Sequence, residues 1–239
     1  MKKSKKIKIF IGLFYLVVLS TFLYYFFSRF TFEEIASYKF IQLNREYLIS
    51  LRENNLIFIS LIFIFLTIIW VFLLGFGSPI ALLGGFIFGK WIGFFLAIVG
   101  LTIGATLLYI FSKYFFLDFI KKEFSARFKS LNFKFKKNEF FFFLIFRFIG
   151  GIPFFIANIL PVLFNISLRN YFFGTFLGIF PQIFILVSLG TGLENIVEKN
   201  ILMPSLTQIV MSPEIYQPIL AFIFLLIILY LLRNFFFKK

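Results

Sequence analysis

Neither cysteine nor histidine occurs anywhere in this 239-residue chain, and Asp118 is its only aspartate. The first absence removes disulfides, thiol nucleophiles and thiolate metal sites, and the second removes imidazole acid–base chemistry. A single aspartate cannot supply the paired carboxylates of an intramembrane aspartyl protease. Charge is scarce too, at 14% of residues against about 25% in an average soluble domain. Within the apolar runs between Leu56 and Leu193 the one acid is Glu139, at the edge of its run. Such a chain has almost nothing with which to do enzyme chemistry, and neither cofactor nor metal is expected.

What it has instead is apolar surface: 61% of residues are hydrophobic and the mean hydropathy is +1.00. Long, nearly uncharged stretches cover residues 7–28, 56–89, 91–112, 140–168, 171–193 and 219–232. A helix needs about 20 apolar residues to cross the hydrocarbon core, so most of these can span. The chain therefore reads as an all-α polytopic membrane protein. Its 44 phenylalanines fill lipid-facing positions that leucine fills elsewhere, and no single one is given a functional role.

Three regions emerge. Residues 1–55 open with five lysines before Ile9. The apolar stretch that follows is too long for a signal-peptide core and has no A-x-A-like site after it, so an uncleaved first helix is expected. Phe40, Leu43, Tyr47, Leu48 and Leu51 then repeat at helical spacing, as in an amphipathic interfacial helix. Residues 56–193 form the membrane domain, and 194–239 a loop and a last transmembrane helix. Within the membrane domain, residues 113–139 make a connector with eight Lys or Arg against three acids, expected on the cytoplasmic face against anionic lipid.

Two apolar segments are broken in the same way. Residues 75–89 (GFGSPIALLGGFIFG) hold Pro79 and five glycines, Gly85 and Gly89 among them. Residues 147–164 hold Gly150, Gly151, Pro153, Asn158 and Pro161. Both are rich in helix breakers, and the first is too short for an ordinary crossing; irregular backbone at membrane depth must be buried in protein or line a wet cavity. Each reads as a re-entrant hairpin. Each is followed by a glycine-rich helix, with Gly93, Gly100 and Gly104 in the first half and Gly174 and Gly178 in the second. Paired interrupted segments of this kind point to a midplane site between two halves of an inverted repeat.

Arg147 is the one charged residue between Phe140 and Leu168. A cation at the helix centre costs about 2.5–3.5 kcal/mol on insertion scales, so it faces a cavity, finds a partner or snorkels to the interface. The Gly-Gly-x-Pro break just after it favours a phosphate or carboxylate receptor, with a guanidinium beside exposed backbone N–H groups. Asn158 either contacts the ligand or caps a broken helix.

The order of these features resembles the DedA-like or SNARE-associated Golgi (VTT-domain) membrane proteins, over roughly residues 56–193. In the first half the matching pieces are Pro79, Gly85-Phe86-Ile87-Phe88-Gly89, Gly93, Gly100 and Gly104-Ala105-Thr106. In the second they are Phe146-Arg147-Phe148, Pro153-Phe154, Asn158 and the run from Phe172 to Leu193. The resemblance implies two opposed re-entrant hairpins in a multi-pass inner-membrane protein. It also implies movement of phospholipid or polyprenyl phosphate between leaflets. The residues it points to for binding are Arg147, Gly150, Gly151, Pro153, Asn158, Pro79, Gly85 and Gly89. The chain departs from the family in having Lys113 where an arginine is frequent, and in having no acid between Asn54 and Leu117, which speaks against proton coupling. An ion-coupled small-solute carrier and a non-transporting membrane-organising protein are the other readings. No nucleic-acid partner is expected, and self-association is left open.

Overall fold

In the computed structural model the described residues are 2–29, 46–50, 52–124, 138–149 and 151–198, with short pieces between 211 and 224. Among them every regular element is helical. The expected amphipathic helix near residues 40–51, most of the basic connector and the last transmembrane helix fall largely or wholly outside the described residues.

Helix α1 (Lys2–Arg29) is followed by α2 (Leu56–Phe72), which Asn55 caps by accepting a hydrogen bond from the Phe58 N–H at 3.4 Å. The next element, α3, runs from Gly77 to Phe124 but is not straight. Gly89 sits at φ 75°, ψ −179°, a conformation open only to glycine. A Cβ on Gly84 would lie 3.6 Å from the Ala97 Cβ, whereas 13 residues of straight helix would separate them by about 20 Å. The chain therefore folds back at Gly89. Residues 77–88 form a return arm about 18 Å long, and the helix beyond Gly89 runs beside it in the opposite direction. The segment expected to be a complete hairpin is one limb of a larger one, because its only reversal lies at its last residue.

The second half repeats this order. Helix α4 (Glu139–Ile149) ends in a turn with Gly151 at φ 76°. A return arm follows, made of α5 (Phe154–Ile159) and a 3-10 turn (Leu160–Phe164). Asn165, left-handed at φ 51°, reverses the chain into α6 (Leu168–Gly178). Helix α7 (Phe180–Glu198) continues from it with a 42° bend, where Pro181 cannot donate a backbone hydrogen bond. Among the described residues, φ is positive at four places: Leu74, Gly89, Gly151 and Asn165. These are the two reversal points of each half.

Within each half the first helix packs in parallel on a glycine pair of the last. Gly100 and Gly104 receive Thr67 and Val71, and Gly174 and Gly178 receive Phe143 and Arg147. In both, added Cβ atoms would collide with the facing side chains, so the missing side chains set the helix spacing. Glu139 fixes the second alignment by accepting from the Ser167 N–H at 2.7 Å and the Asn170 amide at 2.9 Å. Between halves the contacts run in opposite directions: Phe94 packs edge to face on Phe180, the Ala105 carbonyl accepts from Tyr171, and the Ile166 carbonyl accepts from Tyr109. Helix α7 lies so close to the first return arm that a Cβ on Gly85 would strike the Val187 carbonyl and one on Gly190 the Leu82 carbonyl. Helix α1 rests on the outside, where Tyr15 donates to the Phe72 carbonyl at 2.7 Å.

Gly77–Phe115, taken as one run, is the single described helix long and apolar enough to cross a membrane, and α6 with α7 qualifies as a bent pair. Helix α4, 11 residues long, reaches only about 16 Å, half of a hydrocarbon core about 30 Å thick.

Candidate functional site

The turn after α2 and the turn after α4 meet head to head. Phe76 and Phe155 pack edge to face with ring centroids 5.9 Å apart, and a Cβ on Gly77 would touch the Phe154 ring at 3.6 Å. Between the two tips lies a cavity of about 190 Å³ whose wall includes Phe76, Gly77, Ser78, Arg147, Gly151 and Gln182. Its polar side chains are Ser78, Arg147 and Gln182. A larger groove of about 750 Å³ between α1, α2 and α3 is walled almost wholly by carbon, and the hydroxyl of its Tyr15 is bonded to Phe72. That groove offers almost no polar surface with which to recognise a polar group.

Arg147 is 3% exposed, so it does not snorkel. One terminal N–H donates to the Tyr171 hydroxyl at 2.7 Å, and its Nε is buried without a partner. The guanidinium carbon lies 5.3 Å from the ring centres of Phe143 and Tyr171 and 5.8 Å from that of Phe154. Such cation–π contacts soften the burial of a cation without neutralising it. Among the described residues no carboxylate pairs with Arg147. Glu139, the acid on the same helix, is two turns away and already engaged with Ser167 and Asn170.

Tyr171 is the hub of the surrounding network. Its hydroxyl accepts from Arg147 and has two carbonyl acceptors within reach, Asn158 at 3.1 Å and Ala105 at 3.2 Å. Its ring stacks on Tyr109 at 4.1 Å, and Tyr109 in turn bonds the Ile166 carbonyl, which also accepts from the Lys113 ammonium at 3.5 Å. Lys113 thus holds the end of the second return arm as Arg52, donating to the Ile87 carbonyl at 3.1 Å, holds the end of the first. Cations at both places satisfy carbonyls that a helix end leaves open.

Of the residues singled out by sequence, Arg147 and Gly151 share the cavity wall. Pro153 caps the second return arm between two wall residues, Ile152 and Phe154. Pro79 lies in the first turn of the first return arm, next to Ser78 but not in the wall. Gly85 is a packing residue against Val187, and Gly89 is the reversal at the far end of its arm, so neither reaches the cavity. Asn158 neither caps a helix nor lines the wall: its side chain is fully buried with no partner for either polar atom. Gly150 lies outside the described residues. Sequence reasoning missed Tyr171 and Gln182, which sit in apolar helices and read there as ordinary interior residues. The one available signal was Gln182 itself, a full amide directly after Pro181 in an otherwise apolar stretch.

Residues 71–192 match the VTT domain family, and that stretch contains both return arms and both tips. The chain is 27% identical over 157 residues to a transmembrane protein 41 homolog of Caenorhabditis elegans, covering 63% of each protein. It is 29% identical over 136 residues to the Dictyostelium discoideum homolog, 54% of this chain and 41% of that one. A third relative, the uncharacterized protein YqeD of Bacillus subtilis, is 30% identical over 118 residues, 48% of this chain and 57% of that one. The chain thus spans less than two-thirds of the length of the relatives it matches. No solved structure matches it. With the family match covering half of the chain and both broken segments inside it, this membrane protein belongs to the VTT-domain family.

Proposed function

We propose that the chain carries the phosphate-bearing headgroup of a lipid between leaflets, through the cavity where the two tips meet. On this reading it is a multi-pass inner-membrane transporter or scramblase rather than an enzyme. Its substrate is a phospholipid or a polyprenyl phosphate. The two halves are opposed re-entrant hairpins in an inverted repeat, with the cavity near the bilayer midplane. The antiparallel contacts between halves, the head-to-head tips and the shortness of α4 support that placement. The observation that carries the reading is Arg147: a buried guanidinium in a cavity wall, held by a neutral hydroxyl and three rings.

A cation left without a carboxylate at membrane depth is costly, and a phosphate neutralises it through two parallel N–H···O bonds. The cavity admits a headgroup and not a whole lipid, so the acyl chains stay in the surrounding hydrocarbon. Proton-coupled carriage of a small solute finds less support, because among the described residues no acidic side chain lines the cavity.

The test is movement of a fluorescent phospholipid across reconstituted vesicles, read as leaflet exposure. Arg147→Ala is expected to remain inserted and folded and to lower the rate by about tenfold or more, the order of a lost charge-assisted pair. Arg147→Lys is expected to recover little of it, since an ammonium cannot grip two oxygens at once. Full movement by Arg147→Ala would overturn the reading.

A further inference from the structure

Gln182 donates from its amide nitrogen to two backbone carbonyls, those of Arg147 and Phe148, each at 3.1 Å. Carbonyls only accept, so the orientation of the amide is fixed: the NH2 group must face them and the Oε1 must face away. Both N–H bonds are spent on the end of α4. Gln182 also lines the cavity that Arg147 lines, and among the described residues no donor engages its Oε1. Beside the Ser78 hydroxyl, which can do either, the wall therefore presents a guanidinium, which only donates, and an amide oxygen, which only accepts.

We propose, resting on the lipid-headgroup reading above, that Gln182 selects headgroups that combine a phosphate with a hydrogen-bond donor, as ethanolamine, serine and glycerol headgroups do. Arg147 takes the phosphate, and the Gln182 Oε1 accepts from the ammonium or hydroxyl beyond it. Choline carries the same phosphate, and the same net charge as ethanolamine, but has no N–H. With choline bound, the amide oxygen is shut away from water without a donor, and an unsatisfied buried acceptor is what sites of this kind discriminate against. Gln182 is a specificity residue in this role, and its two N–H bonds keep it in place.

The experiment uses the full-length protein in vesicles and lipids that differ by one methyl group at a time: phosphatidylethanolamine, its N-methyl and N,N-dimethyl derivatives, and phosphatidylcholine. The first three retain at least one N–H. Their rates are expected to agree within about twofold, with a drop of about five- to tenfold at the last methyl, the range of one lost hydrogen bond. A smooth decline along the series would mean exclusion by size, and a flat series would mean no selection; either overturns the proposal. Gln182→Met keeps the length and removes the amide. It is expected to bring the choline and ethanolamine rates together, whereas a purely structural role for Gln182 would lower both and leave their ratio unchanged. Should Gln182→Met fail to fold, the wild-type series decides alone. If Arg147→Ala abolishes movement while the methylation step is absent, only the selectivity proposal falls. If Arg147→Ala moves every lipid normally, the transport reading falls with it.

Discussion

In the first half of the molecule the pair Thr67 and Val71 lies against Gly100 and Gly104; in the second, Phe143 and Arg147 lie against Gly174 and Gly178. The contacts correspond in detail. An added Cβ at Gly104 meets the Val71 side chain and the Ile68 carbonyl, and one at Gly178 meets the Arg147 side chain and the Leu144 carbonyl. Both facing side chains are buried, Val71 completely and Arg147 to all but 3%. The backbone solution is the same in both halves, while the side chain delivered to the tip is apolar in one and cationic in the other. Helix-on-glycine packing is thus a scaffold common to both halves, and the buried cation belongs to the second alone.

The comparison can be broken most severely at the glycines. Gly178→Ala and Gly104→Ala are each expected to destabilise the folded protein by about 1–3 kcal/mol through overpacking, measured by thermal unfolding in detergent. Only Gly178→Ala should also displace Arg147, so lipid movement per folded molecule should fall for that variant and not for Gly104→Ala. Equal loss of movement in both would mean that the arginine adds nothing to the scaffold.

A smaller effect sharpens the comparison at the turns. Leu74 and Gly151 occupy matching reversals at φ 65° and φ 76°, but only one of them is a glycine. A left-handed conformation costs an ordinary residue about 1 kcal/mol or somewhat more. Leu74→Gly is therefore expected to stabilise by up to about 1 kcal/mol, set against the packing lost with the leucine side chain, and Gly151→Ala to destabilise by about the same. Unfolding midpoints that move in the same direction would show that the two turns are not equivalent.

Much of this could be read from the sequence. Helical content followed from apolar run length, the two breaks from glycine and proline, and the packing faces from glycines four apart. Arg147 stood out because a lone charge in an apolar run is expensive. The reversal points were harder: leucine does not announce a left-handed turn, so that of Leu74 is imposed by the packing on either side, and asparagine, which tolerates one, is too common elsewhere to mark Asn165. Gly85 and Gly89 could not be assigned a role from the sequence, because a glycine looks the same whether it admits a ligand, a backbone or a bend. Gly85 admits the Val187 carbonyl and Gly89 makes the bend. Tyr171 and Gln182 were missed for a different reason: their contacts are with partners more than 20 residues away, Arg147 for the one and the end of α4 for the other.

The central claim, that headgroups pass where the two tips meet, is tested most directly by joining those tips. The chain has no cysteine of its own, so Phe76→Cys combined with Phe155→Cys provides the only two thiols. In vesicles a short bismaleimide is expected to link them, and lipid movement is expected to stop in the linked protein while continuing in each single variant treated alike. Efficient linkage with undiminished lipid movement would contradict the account.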